Sequence, residues 1–116
     1  MAGTRWVRLD VEYFGNPKMA RAGKDGRLLH LASMCHAGAH LTDGHVAAEL
    51  VGPLCKLAGV RAATVDRLVK VGLWVPVDGG YLIHDYLAMQ DSRATVELRR
   101  KNKAERMTKW RAEKSM

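Results

Sequence analysis

The chain has 116 residues, 47% of them hydrophobic, enough for one buried core, and its apolar runs are too short for a membrane-spanning helix or a signal-peptide h-region. Two cysteines, Cys35 and Cys55, are too few for a disulfide framework and fit reduced thiols in a cytoplasm. The net charge of +7 is uneven: residues 1–92 carry ten basic and nine acidic side chains, residues 93–116 nine basic and three acidic, so a nearly neutral domain precedes a basic tail.

Residues 5–14 alternate apolar and charged side chains from Val7 to Val11, the period of a half-buried strand or an extended arm. Asn16 as N-cap and Pro17 at the first helical position start a short helix that runs to about Ala22 and ends at Gly23. A second helix is expected over Lys24–Ala39, with Leu28, Leu31, Ala32, Cys35 and Ala39 as its inward stripe. Asp43-Gly44 signals a turn, beside which His45-Val46 fits a very short strand. Ala47–Ala58 follows as a helix kinked or split near Gly52-Pro53, Gly59 breaks the chain, and Arg61–Val71 forms the next helix, with Val65, Leu68 and Val69 inward and Gly72 as its cap. Leu73–Val77 and Tyr81–His84 read as two strands around Asp78-Gly79-Gly80, with Pro76 on an edge and Trp74, Ile83 and Tyr86 in the core. Ser92 caps a last helix of about twenty residues that is polar nearly all round.

Helix, glycine turn, helix and hairpin, in that order, define an expected α+β, mostly helical fold: a winged helix-turn-helix over 1–92 with a C-terminal basic helical extension over 93–116. Cys55 four residues before Gly59, and Val65 and Leu68 six and nine after it, supply the small residue and the apolar anchors that two crossing helices need. Such a fold places the 61–71 helix in the DNA major groove, with Arg61, Ala63, Thr64, Arg67 and Lys70 outward. Arg61 and Arg67 suit guanine edges or phosphates, Ala63 and Thr64 thymine methyls; Asp66 suits cytosine N4 or an ion pair with Lys70. The plainer reading makes all of these ordinary surface residues.

In the tail, Arg93, Arg99, Arg100, Lys101, Lys103, Arg106, Lys109, Arg111 and Lys114 would form a positive rod able to follow a phosphate backbone, against the plainer reading of a solvated solubility tail. Val96, Met107 and Trp110 make a weak apolar stripe suited to docking on the body or pairing with another chain, and less to stacking on an unpaired base. The hairpin tip carries no Arg or Lys, which suits a mainly structural wing.

Trp6-Val7-Arg8-Leu9-Asp10, Tyr13-Phe14 and Pro17-Lys18, then Lys24-Asp25-Gly26-Arg27, Leu41-Thr42-Asp43-Gly44-His45-Val46, and Val71-Gly72-Leu73-Trp74 with Asp78-Gly79-Gly80-Tyr81-Leu82-Ile83-His84-Asp85-Tyr86, resemble the N-terminal winged-helix domain of phage replisome organisers, the actinobacterial phage and prophage type above all. The resemblance covers residues 5–92, and the tail looks like the basic extension that follows there. It implies double-stranded DNA binding at a phage replication origin or operator in the bacterial host cytoplasm, with recruitment of helicase-loading proteins.

Other chemistry is sparsely represented. His36 and His40 are spaced i, i+4 as zinc ligands can be, but no acidic companion or Cys-x-x-Cys pair accompanies them, so no metal and no cofactor is expected. His84-Asp85 would point to opposite faces if both sat on a strand. There is no glycine-rich phosphate loop and no nucleophile elbow, and the expectation is a non-enzyme. Two roles follow: a DNA-binding replication organiser or transcriptional regulator, or a winged-helix adaptor for a host replication or transcription protein. Both involve no membrane and leave room for a homodimer.

Overall fold

The structure, a computed structural model, describes residues 5–115; residues 1–4 of the expected domain and Met116 of the expected tail lie outside them. The fold is α+β and mostly helical. Asn16 caps α1 (Pro17–His40) by accepting from the Lys18 N–H at 2.9 Å, with Pro17 in the first turn, where its missing N–H costs nothing. Gly23, at φ 73° and ψ 179°, breaks the helical path inside α1, so the two expected helices are two segments of one element joined at a kink.

Next come β1 (His45–Ala47) and α2 (Ala48–Ala58), which closes on Gly59 in the left-handed conformation at φ 74°. α3 (Thr64–Lys70), β2 (Trp74–Val77) and β3 (Gly80–Ile83) follow, then the single turn α4 (Tyr86–Met89) and α5 (Arg93–Lys114), capped by Ser92 on the Thr95 N–H. The three strands form one antiparallel sheet in the order β1-β3-β2, with Trp74 opposite Ile83 and Val46 opposite Tyr81. At Gly80 a Cβ would lie 2.0 Å from the Val46 carbonyl oxygen, so β1 reaches the hairpin only because this residue has no side chain.

The core lies between α1, the α2–α3 pair and the inner face of the sheet. Trp74, Leu29, Leu68 and Val46 are fully buried at its centre. Ser33 is buried there too: its hydroxyl donates to the His30 carbonyl at 2.7 Å and accepts from the Trp74 indole N–H at 3.2 Å, so each polar group has a partner. Ile83 and Tyr86 join this core, as expected.

Several sequence expectations are corrected. Of the two readings for residues 5–14, strand or arm, the strand is not formed: 5–10 have no regular secondary structure and 11–15 are turns. Instead the arm straps the body, with the Arg8 N–H donating to Gln90 Oε1 at 2.8 Å, Gln90 Nε2 donating to the Arg8 carbonyl at 2.7 Å, and Arg5 reaching the Ala39 carbonyl. The inward stripe of α1 is Gly26, Leu29, His30, Ser33 and Ala37; Leu28, Cys35 and Ala39 are exposed, Leu31 and Ala32 half-buried. The same i, i+3, i+4, i+7, i+11 template applies in another register, where small and polar residues flank Leu29; at Gly26 a Cβ would lie 2.8 Å from the Ala22 methyl. α2 runs through Pro53 as one helix. α3 begins at Thr64, since Arg61–Ala63 form the preceding turn; Val69 is half-buried and packs against the core, as expected. Cys55 is buried, but Cys35 is not, and both are free thiols.

Candidate nucleic-acid interface

α3 is positioned by its inner face. Val65 and Leu68 enter the core, and Leu68 packs against α1 at Gly26, where a Cβ would lie 2.8 Å from the Ala22 methyl and 3.5 Å from Leu68 Cδ2. This close helix crossing turns the opposite face outward: Arg61, Ala62 and Ala63 in the approach turn, then Asp66, Arg67 and Lys70, are exposed. Asp66 and Lys70 form no ion pair among the described residues. Thr64 is the correction: its residue is only 8% exposed and belongs to the inner side of the helix start, so it is no outward reader of a thymine methyl. Arg67 leans toward α1, its Nη1 donating to the Arg21 carbonyl at 3.0 Å. That leaves the rest of its planar fork of donors for another acceptor.

Between the α1 kink and the start of α3 lies an open cleft of about 480 Å³. Its lining includes Lys24, Asp25 and Gly26 from α1 and Arg61, Thr64 and Arg67 from the α3 side. Lys24 stands beside the arginines already singled out; only the fold reveals this, because 43 positions separate it from Arg67 in the chain.

α5 supplies the second basic surface. Every residue from 97 to 115 is exposed, and only Val96 of this helix is buried. At 1.5 Å per residue its 22 residues make a rod roughly 33 Å long. The molecule accordingly measures 62 × 31 × 24 Å. Two of the tail's cations are tied at its base: Arg99 pairs with Asp91, and Arg93 with Glu97 at 2.8 Å. The Arg93 N–H also donates to Asp43 Oδ1 at 2.6 Å, and Asp91 meets Arg8 of the arm at 3.4 Å. Arg100, Lys101, Lys103, Arg106, Lys109, Arg111 and Lys114 have no carboxylate partner among the described residues. Met107 and Trp110 share an exposed face with Lys103 and Arg106, and Lys114 Nζ lies 5.4 Å from the Trp110 ring centroid. They do not dock on the body.

Outside these surfaces, the His36 and His40 rings sit 4.7 Å apart, and burial together with the neighbouring His40 charge lowers the His36 pKa. No group of three or more His, Cys, Asp or Glu side chains with metal-site geometry occurs among the described residues. His84 and Asp85 meet at 3.1 Å rather than diverging, because both lie past the end of β3 in a turn where Asp85 is left-handed at φ 58°. The pair is exposed and lines neither of the clefts described. No helix among the described residues is long and apolar enough to cross a membrane. No protein family, no curated protein and no solved structure matches this chain.

Proposed function

We propose that the protein is a winged-helix double-stranded DNA-binding protein of phage or prophage type, acting as a replication organiser at an origin or as a transcriptional regulator. The observation that carries this reading is topological. Helix, strand, helix, helix and hairpin follow in order, and the first strand adds to the hairpin as β1-β3-β2. α3 stands in the recognition position, with Arg61, Ala63, Arg67 and Lys70 on its outer side. Arg67 reads a guanine edge, Ala63 lies against a thymine methyl, and Arg61 and Lys70 grip phosphate. The rod of α5 adds contacts that are blind to sequence, through Arg100, Lys101, Lys103, Arg106, Lys109 and Arg111, while Arg93 and Arg99 anchor its base. We assign the protein no reaction and no cofactor.

A second reading, an adaptor for a host replication or transcription protein, is favoured by the hairpin tip, where Asp78 and Gly79 offer no cation to a phosphate. Titration of a preferred and a scrambled duplex at one salt concentration separates the two. Arg67→Ala is expected to weaken the preferred duplex by about 1–3 kcal/mol and the scrambled one much less. Arg61→Ala should weaken both alike. Unchanged DNA affinity in both variants, with a host protein still bound, puts the adaptor reading first.

A further inference from the structure

The cleft between the α1 kink and α3 combines features that, Arg67 apart, the proposed base contacts do not use. Lys24, Arg61 and Arg67 bring three cations to it against one carboxylate, Asp25. The kink matters as much as the charges. Because Gly23 leaves the helical path, α1 restarts at Lys24, and the first amide N–H groups of a restarting helix lack carbonyl partners within it. Those amides belong to Lys24, Asp25 and Gly26, three of the lining residues, and the 17-residue segment from Lys24 to His40 directs its positive dipole end there. Independently, Thr64 lines the same cleft while its residue is more than nine-tenths buried, and its hydroxyl is hydrogen-bonded to no other described residue. No bond among the described residues occupies the hydroxyl of this largely buried residue, which leaves it free for a group from outside.

Resting on the DNA-binding reading above, we infer that this cleft is a phosphate site that holds one backbone phosphate of the bound duplex. The oxyanion takes hydrogen bonds from the Lys24–Gly26 amides and the Thr64 hydroxyl, and charge from Lys24 and Arg61, which leaves the free part of the Arg67 fork to the base edge. A phosphate gripped by α1 and α3 together fixes the angle at which α3 enters the groove. This makes Lys24 and Thr64 positioning residues for Arg67, and it places a non-specific anchor where the hairpin tip supplies none.

The test uses the full chain. Lys24→Gln changes an exposed side chain, and Thr64→Val removes the hydroxyl at nearly constant shape; thermal melts establish that both variants are folded. Duplex affinity is measured against salt for each, and the amide resonances of residues 24–26 are followed during titration with duplex and, separately, with inorganic phosphate. Lys24→Gln is expected to flatten the slope of log K against log salt by roughly 0.9, the equivalent of one phosphate, on preferred and scrambled duplexes alike. Duplex should shift the 24–26 amides in the parent protein. Unchanged slopes in both variants, with duplex still bound and Arg67→Ala still impaired, overturn the cleft assignment and leave the DNA reading standing. If the parent protein binds no duplex, the DNA reading itself fails. Amide shifts with inorganic phosphate would then reassign the cleft to a free phosphate group, and their absence would overturn the site altogether.

Discussion

Single residues decide where the molecule is rigid. Trp74 is 1% exposed, lies 5.1 Å from the Tyr81 ring and donates to Ser33, joining α1, β2 and β3 at one point. Truncating a buried aromatic costs about 3–5 kcal/mol, so Trp74→Ala should lower the melting temperature sharply, whereas Trp110→Ala, at a site 53% exposed, should leave it nearly unchanged. Equal losses would mean that Trp110 packs on the body. His30 gives a second handle. Its Nδ1 lies 3.0 Å from the Tyr13 hydroxyl, and burial lowers its pKa to about 4, while burial pushes Tyr13 up to about 12. Below pH 6.5 the unfolded chain binds a proton at His30 that the folded protein refuses until about pH 4. Stability present at neutral pH is therefore lost across that window, on the order of 3 kcal/mol in full. Melts from pH 7 to 4 should fall more steeply for the parent protein than for His30→Asn; parallel curves would contradict the buried neutral imidazole. Trp74 and Leu68 are legible in the sequence as core residues because apolar side chains sit at the right spacing. The inner face of α1 is not. Gly26, His30 and Ser33 are buried through close approach and paired hydrogen bonds, which hydrophobic periodicity does not register.

At the scale of elements, punctuation is legible in the sequence and partnership is not. Asn16-Pro17, Gly59 and Ser92 mark helix ends because capping is local chemistry, and Asp78-Gly79-Gly80 marks the hairpin for the same reason. The arm 5–14 has the alternation of a strand without being one, since alternation reports a two-sided environment and not a ladder; the side chain of Gln90 supplies what a neighbouring strand would. α3 starts three residues later than its composition suggests, because Arg61–Ala63 suit a helix but lie in a turn. α5 is legible as a basic helix, and its exposure follows from the scarcity of apolar residues. Replacing Arg100, Lys101, Lys103 and Arg106 together by Gln keeps helix-forming side chains and removes charge alone. Duplex affinity should fall equally on all sequences, and the salt slope should flatten by roughly 0.9 for each phosphate no longer gripped, with the melt unchanged. An unaltered slope would make α5 a solvated tail or a protein-binding segment.

The whole molecule joins a three-stranded sheet and three packed helices to a cationic rod fixed at its base by Asp43 and Asp91. The order of elements is legible from turn signals and periodicity, and the addition of β1 to β3 follows once Gly80 clears the way for it. The cleft at the α1 kink is not legible, because it is made by segments distant in sequence. The claim on which the rest depends is that α3 lies in the major groove of duplex DNA. Guanine-N7 methylation protection addresses it directly, using duplex fragments selected by the protein from phage and bacterial genomes, since N7 lines that groove. The expected result is a short run of protected guanines with the parent protein and loss of protection at one of them with Arg67→Ala. A complex that leaves every guanine N7 reactive, or selection that recovers no duplex at all, would contradict the placement of α3 in the groove.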